Sequence, residues 1–383
     1  MNGKPLRIGI TCHPTVGGSG ILASELGKFL ARRGHAVHFI TMSVPYRLRE
    51  EFHENLFFHT VEVESYPLFE HTPYNMALAA KMSEVAAAER LDVLHVHYAI
   101  PHAISAYLAA QMIARNGGRL QVVTTLHGTD ITLVGQNKSF FELTRFGIES
   151  STAVTAVSDY LKAKTEEVFA PRREIRRIHN FADANLFRKH AAGGKSCHRS
   201  AFAPQGETVF MHISNFRPVK RIEDVVRVFA KASESLNAVL VMVGEGPMLR
   251  PARDLAASLG VASRVKFLGN QMDVPALMGC GDVFLFPSEV ESFGLAPLEA
   301  MACEMPVIAS ASGGIPEVVV HGETGYLAPV GDVEAMAEYA VRLGLDPALR
   351  ARMGAAGRRR AIELFSPEAM VDQYEALYRE VVG

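Results

Sequence analysis

Short apolar runs alternate along the whole chain with stretches whose apolar residues recur every third or fourth position. Apolar runs bounded by turn residues predict buried strands, and the 3.6-residue period between them predicts helices packed on those strands. Leu6–Cys12 predicts a first strand, Gly20–Arg33 a helix stopped by Gly34, and Ala36–Thr41 the next strand. On the helix, Ile21, Leu22, Leu26, Phe29 and Leu30 share one face. Further strands are predicted at Phe57–Val63, Val93–Tyr98, Leu120–Leu126, Ala153–Val157 and Ile175–His179, with helices near 74–90, 101–115, 139–149 and 159–169. This repetition predicts parallel α/β architecture.

The pattern breaks between Arg188 and Gly206, where Gly193-Gly194, Pro204 and several charges replace the periodicity. That stretch is the predicted linker between halves 1–187 and 207–366. Beyond it, strands are predicted at Val209–Ile213, Val239–Val243, Val265–Leu268, Val283–Phe286 and Val307–Ala309. Helices are predicted near 221–235, 247–259, 273–280, 315–320, 333–343 and 347–364. The fold class that follows is α/β, with two Rossmann-like halves. Pro367–Val382 predicts a final amphipathic helix with Met370, Tyr374, Leu377 and Tyr378 on one face.

Composition narrows the function classes. The chain has 383 residues, 48% of them hydrophobic, which suits two domains with ordinary cores. A formal net charge of −2 provides no basic field for nucleic acid or an anionic membrane. No apolar run reaches membrane-spanning length, and Leu6–Cys12 is too short for a signal peptide, so a cytoplasmic protein is expected. Cys12, Cys197, Cys280 and Cys303 are scattered without a Cys-x-x-Cys, which points to buried thiols rather than disulfides or zinc. Cys12, beside a glycine loop, keeps a redox role open.

The most informative chemistry is Glu291-Ser-Phe-Gly-Leu-Ala-Pro-Leu-Glu299, set between a predicted strand and a helix opening on Pro297. Glu291, a carboxylate without a local partner in the sequence, and Glu299 bracket a turn at Gly294. The amides of such a turn can hold a phosphate while the carboxylates accept bonds from sugar hydroxyls. Gly17-Gly18-Ser19-Gly20 follows the first strand; it suits a diphosphate at a helix N-terminus or a simple tight turn. Ser214-Asn-Phe-Arg217-Pro-Val-Lys220-Arg221 places cations where a leaving diphosphate needs them, or forms a solvated basic turn. Gly244-Glu-Gly-Pro247 ends the next strand and offers a wall for a base.

In the first half, His127-Gly-Thr-Asp130 sits past a strand end, where open α/β sheets place ligands; a turn capped by Asp130 is the plain alternative. Tyr98 occupies a similar position, with Val96 on its face and His95 and His97 on the other, where they read as core or supporting histidines. Arg145 can clamp a carboxylate or pair with Glu142 or Glu149 on its own helix.

These segments resemble the retaining GT-B glycosyltransferases of family GT4, over nearly the whole chain. Thr11-Cys-His-Pro-Thr-Val-Gly-Gly-Ser-Gly20, His95-Val-His-Tyr-Ala-Ile-Pro-His102, Thr124–Thr132, Arg145-Phe-Gly-Ile-Glu149 and His212–Arg217 are similar to a branch that glycosylates L-malate at the start of bacillithiol biosynthesis. The resemblance implies two Rossmann-like domains facing across an interdomain cleft, with the last helix packing back on the first. It also implies UDP-N-acetylglucosamine and L-malate as substrates, with no metal or other cofactor. Donor contacts would come from Gly17, Gly18, Ser19, Arg217, Lys220, Glu291, Phe293, Gly294, Leu295 and Glu299. Acceptor contacts would come from Ser19, Tyr98, Thr125, His127, Arg145 and Asn180, with His127, Arg217, Lys220 and Glu291 catalytic.

Two departures stand out. Arg217 and Lys220 are three apart where the broader family spaces the pair by five, with Asn215 in the usual arginine position. Glu304 stands where the family often has glycine. Another hydroxy acid, inositol phosphate or a lipid as acceptor, an epimerase, and a nucleotide-sugar sensor without turnover stay open, as do monomer and homo-oligomer.

Overall fold

Among the described residues, the strands assemble into two parallel sheets, one in each of two units. The computed structural model describes residues 4–14, 17–49, 52–63, 73–190 and 199–383. The first unit is Met1–Asn180 together with Pro367–Gly383, and the second is Phe181–Ser366.

The first unit contains β1 (Arg7–Thr11), β2 (Ala36–Thr41), β3 (Leu56–Thr60), β4 (Val93–His97), β5 (Gln121–Leu126), β6 (Ala153–Ala156) and β7 (Ile175–Arg177), in spatial order β3-β2-β1-β4-β5-β6-β7. Helices on both faces bury the central strands, so β4 and β5 have no exposed position. The winding reverses between β1 and β4, and that switch point is where such sheets bind ligands. The second unit repeats the plan with β8 (Thr208–Ile213), β9 (Ala238–Val243), β10 (Val265–Gly269), β11 (Val283–Phe286), β12 (Val307–Ser310) and β13 (Gly325–Ala328), ordered β10-β9-β8-β11-β12-β13. Its core joins Phe210, Leu240 and Leu285 of the sheet to Val225 and Phe229 of the helix Ile222–Ala232.

The last helix, Pro367–Val382, belongs to the first unit, with Met370, Tyr374, Leu377 and Tyr378 all buried. Arg33 holds its outer side through Asp372 (2.6 Å) and Glu375, and His35 Nε2 lies 2.7 Å from Glu375.

Several expectations are corrected. The change of unit falls at Asn180/Phe181 rather than after residue 187. The described part of 188–206 is fastened to the second unit: His190 N donates to Gly279 O (2.9 Å), and Arg199 bonds Asp282 (2.6 Å) and Cys280 O (2.9 Å). Polar composition suggested a linker there, but the Arg199 guanidinium is spent on the second unit. Gly193-Gly194 and Cys197 lie outside the described residues. The strand β13 was not expected, because four residues opening on a glycine leave too short a run to read. The first helix starts at Gly18, inside the glycine loop, rather than at Gly20.

Candidate active site

In the second unit, β8 ends at Ile213, and the chain passes over the sheet edge into a 3₁₀ turn, Pro218–Lys220. Arg221, at φ 50°, redirects it into the helix Ile222–Ala232. The loop is held from beneath. Buried His212 donates from Nδ1 to Leu285 O (2.8 Å), so its Nε2 accepts from Ser214 Oγ (2.8 Å). Burial pushes its pKa down to about 4, which keeps it neutral. Phe216 N donates to Glu245 O (2.8 Å), tying the loop to the one after β9. At Gly244, φ 130°, a Cβ would lie 1.8 Å from Ser214 O, so only glycine permits that approach.

Beyond β11, Gly294 (φ 103°) precedes the helix Leu295–Ala302, whose first amides have no partner within the helix. Pro297 sits inside that first turn, where a missing N–H costs nothing. Lys220 Nζ lies 2.5 Å from Glu291 Oε1, with both side chains mostly buried, and 5.5 Å from the centre of the Phe286 ring. Glu291 is therefore ion-paired, which corrects its reading as a carboxylate without a partner; the partner is 71 residues away in sequence. A loop after β12 fixes its backbone. Gly314 N donates to Glu291 O (2.8 Å), and Ser312 Oγ donates to Glu289 O (2.6 Å). At Gly313, φ 61°, a Cβ would fall 2.1 Å from Glu291 O. Arg217 is exposed and its guanidinium makes no hydrogen bond among the described residues. A cation–carboxylate pair, a free guanidinium and a helix N-terminus together suit a phosphorylated, hydroxyl-rich ligand.

In the first unit, the equivalent edge is built from rings. Ser19, in the first turn of the helix Gly18–Arg32, has its Oγ 2.9 Å from Tyr98 Oη. Tyr98 has φ 90°, a strained value for a non-glycine residue. Strand alternation therefore stops at His97, and Tyr98 does not simply oppose it: its ring lies 5.2 Å from both His13 and His127. His97 Nδ1 is 2.8 Å from His127 Nε2, and His102 Nδ1 donates to His97 O. Burial, reinforced by neighbouring imidazoles, lowers His102 and His127 to about 3 and His97 well below its ordinary value. At neutral pH the cluster is uncharged. Buried Asp130 accepts from Ala99 N and Gly128 N (both 2.9 Å), so it caps the turn as the plain alternative required.

Beneath this layer, His95 bonds Tyr378 Oη (2.6 Å) and Thr125 Oγ1 (2.7 Å), and its ring stacks on His97 at 4.5 Å. Thr125 also bonds Thr155 Oγ1 (2.7 Å) and is fully buried. That removes it from an acceptor surface: it supports the histidine layer. Arg145, on the helix Phe141–Ser150, lies 3.6 Å from Glu149, as its spacing allowed, while its Nε is buried without a hydrogen bond. Asn180 is buried with Oδ1 unbonded.

The structure thus joins Ser19, Tyr98 and His127 in one unit, and Lys220, Glu291 and Gly294 in the other. Sequence reasoning read His95 and His97 as core or supporting histidines, as their burial shows, but missed His13 and His102 and the clamp of Ser312-Gly313-Gly314. The signals were imidazoles just past neighbouring strands and a double glycine three residues beyond a strand.

Residues 16–186 match the family model described as Glycosyltransferase Family 4, and residues 196–360 match that described as Glycosyl transferases group 1. The N-acetyl-alpha-D-glucosaminyl L-malate synthase of Bacillus anthracis is 48% identical over 377 residues, covering 98% of this chain and 97% of that relative. The chain belongs to the family 4 glycosyltransferases. A glycosyltransferase from Rickettsia africae superposes with a TM-score of 0.81 at 21% identity, covering 99% of both chains. Anabaena HepE, solved in complex with UDP-glucose, gives 0.80 at 22% identity over 98% of this chain and 100% of that one. At such identities the likeness establishes the GT-B fold class. As a family 4 glycosyltransferase, the chain is an enzyme that transfers a sugar to an acceptor. No described helix is long and apolar enough to cross a membrane.

Proposed function

We propose that this glycosyltransferase moves N-acetylglucosamine from UDP-N-acetylglucosamine to the hydroxyl of L-malate with retention of the α configuration, the reaction that opens bacillithiol biosynthesis. The observation that carries this reading is the 48% identity to the Bacillus anthracis synthase over 98% of the chain. The second unit grips the donor. Glu299 takes the ribose hydroxyls, Glu291 the sugar hydroxyls, and amides at Phe293, Gly294 and Leu295 face the diphosphate. Arg217 and Lys220 stabilise the charge that grows on the leaving group. The first unit holds malate through Tyr98, His127 and Arg145, with Ser19 alongside. The buried imidazoles of His97, His102 and His127 are neutral, so Arg145 supplies the positive charge that a dianion requires.

The malate oxygen bonds to C1 as the bond from C1 to the β-phosphate oxygen breaks, and the hydroxyl proton passes to that phosphate. Glu291 is tied to Lys220, which disfavours it as the nucleophile of a two-carboxylate double displacement. The test is incubation with UDP-N-acetylglucosamine and a panel of hydroxy acids and inositol phosphate, with products weighed by mass spectrometry and the anomeric proton read by NMR. An α-linked malate product is expected. A β linkage, or preference for another acceptor, overturns the reading.

A further inference from the structure

The first unit also gathers two imidazoles and a carboxylate at a place the sugar-transfer reading leaves unused. His38 lies on β2 and His59 on β3, the outermost strand of the sheet. The register pairs His38 with Phe57 and Ile40 with His59, so the two histidines are diagonal neighbours on one face. The helix Tyr74–Glu89 covers that face, because Ile40 shares a core with its Leu78, Met82 and Val85. Glu89, the last residue of that helix, comes down beside both rings. One ligand atom from each of the three residues lies within 4.8 Å of the other two.

The dimensions suit a metal ion. His38 Nδ1 and His59 Nε2 are 3.0 Å apart. Two nitrogens at zinc–nitrogen bond length in a tetrahedron sit about 3.3 Å apart, so the rings need to part only slightly. His38 is buried with Phe57 stacked on it at 4.7 Å, which fixes its ring plane. Burial lowers His38 to about 4 and lowers His59 as well, and neutral imidazole is the ligating form. Glu84 and Glu89 contribute negative charge, against Arg7 and Lys81. The helix C-terminus at Glu89 adds a partial negative charge of its own.

We propose that His38, His59 and Glu89 form a zinc site with its fourth position open to water, pinning the edge strand β3 to the helix above it. The ion takes the place of the hydrogen bond between the rings, and both imidazoles bind in their neutral form. The site is structural and separate from sugar transfer.

The test uses the full chain stripped with chelator. Cobalt is titrated while its visible absorption is followed, and zinc is then competed against it by calorimetry. Wild type is expected to bind one equivalent. His59→Ala should weaken zinc binding about a hundredfold, and Glu89→Gln about tenfold. Zinc should raise the melting temperature of wild type and leave that of His59→Ala unmoved, with glycosyl transfer retained in both. Wild type without a bound equivalent, or His59→Ala with wild-type affinity, overturns the proposal. If His59→Ala does not fold, Glu89→Gln decides by the same titration, because its side chain reaches the rings from the end of a helix.

Discussion

The two units wind their sheets alike, β3-β2-β1-β4 and β10-β9-β8-β11 at the switch point, yet they furnish the strand ends with opposite chemistry. In the second unit the edge is charged: Lys220 against Glu291, an exposed Arg217 and a helix N-terminus. In the first it is a layer of neutral rings around Ser19 and Tyr98. On the proposed function, one scaffold serves two tasks. Stabilising a departing diphosphate needs fixed charge, whereas orienting a hydroxyl needs hydrogen bonds whose donors and acceptors are set in advance.

The sharpest way to break this contrast is to remove the charge from the second unit without leaving half of a buried pair. Lys220→Met combined with Glu291→Gln should keep the fold, while turnover falls by about 10²–10³-fold. Turnover within a few-fold of wild type, measured under saturating donor and acceptor, would remove the charged edge from the mechanism.

The next test concerns the neutral rings. Burial holds His95 and His102 at about 3, so the unfolded chain binds protons that the folded one refuses once pH drops below about 6.5. Their contribution to stability is complete above that pH and is lost progressively as pH falls toward their folded values. At pH 5.5 each should have cost about 1.4 kcal/mol relative to pH 7.5. Urea unfolding across that range, with hydrogen exchange assigning the loss, should locate it in the first unit. A flat profile would mean that these rings are not held neutral.

A smaller effect is expected at Arg145. Arg145→Ala should lower kcat/KM for malate about 10–100-fold and leave UDP affinity nearly unchanged. Equal losses in both would place Arg145 outside the acceptor site. The mildest prediction concerns something the units share, helix ends closed by non-glycine residues at positive φ: Ala170 at 41° in the first and Glu304 at 58° in the second. Ala170→Gly and Glu304→Gly should each raise stability by about 1 kcal/mol in thermal unfolding, since the left-handed conformation penalises a Cβ. A loss on either change would show that its side chain earns its place through contacts, as Glu304 does weakly with Arg358 at 3.9 Å.

Much of the fold was legible because it rests on local period. Alternating strand and helix runs, the cationic turn at Arg217–Lys220 and the carboxylates at Glu291 and Glu299 are each read within a short window. The four apolar positions of the final helix were equally plain, since a 3.6-residue period needs no partner to be recognised. Tertiary structure alone decided what those positions meet. Tyr378 reaches His95, 283 residues away, and Lys220 finds Glu291 across 71. It also decided that Thr125 is spent beneath the site, that Tyr98 leaves its strand, and that residues after Asn180 fasten to the second unit. The physical reason is range. Burial and backbone propensity are written residue by residue, whereas a neutral ring cluster or a satisfied ion pair exists only when distant strand ends arrive at one edge.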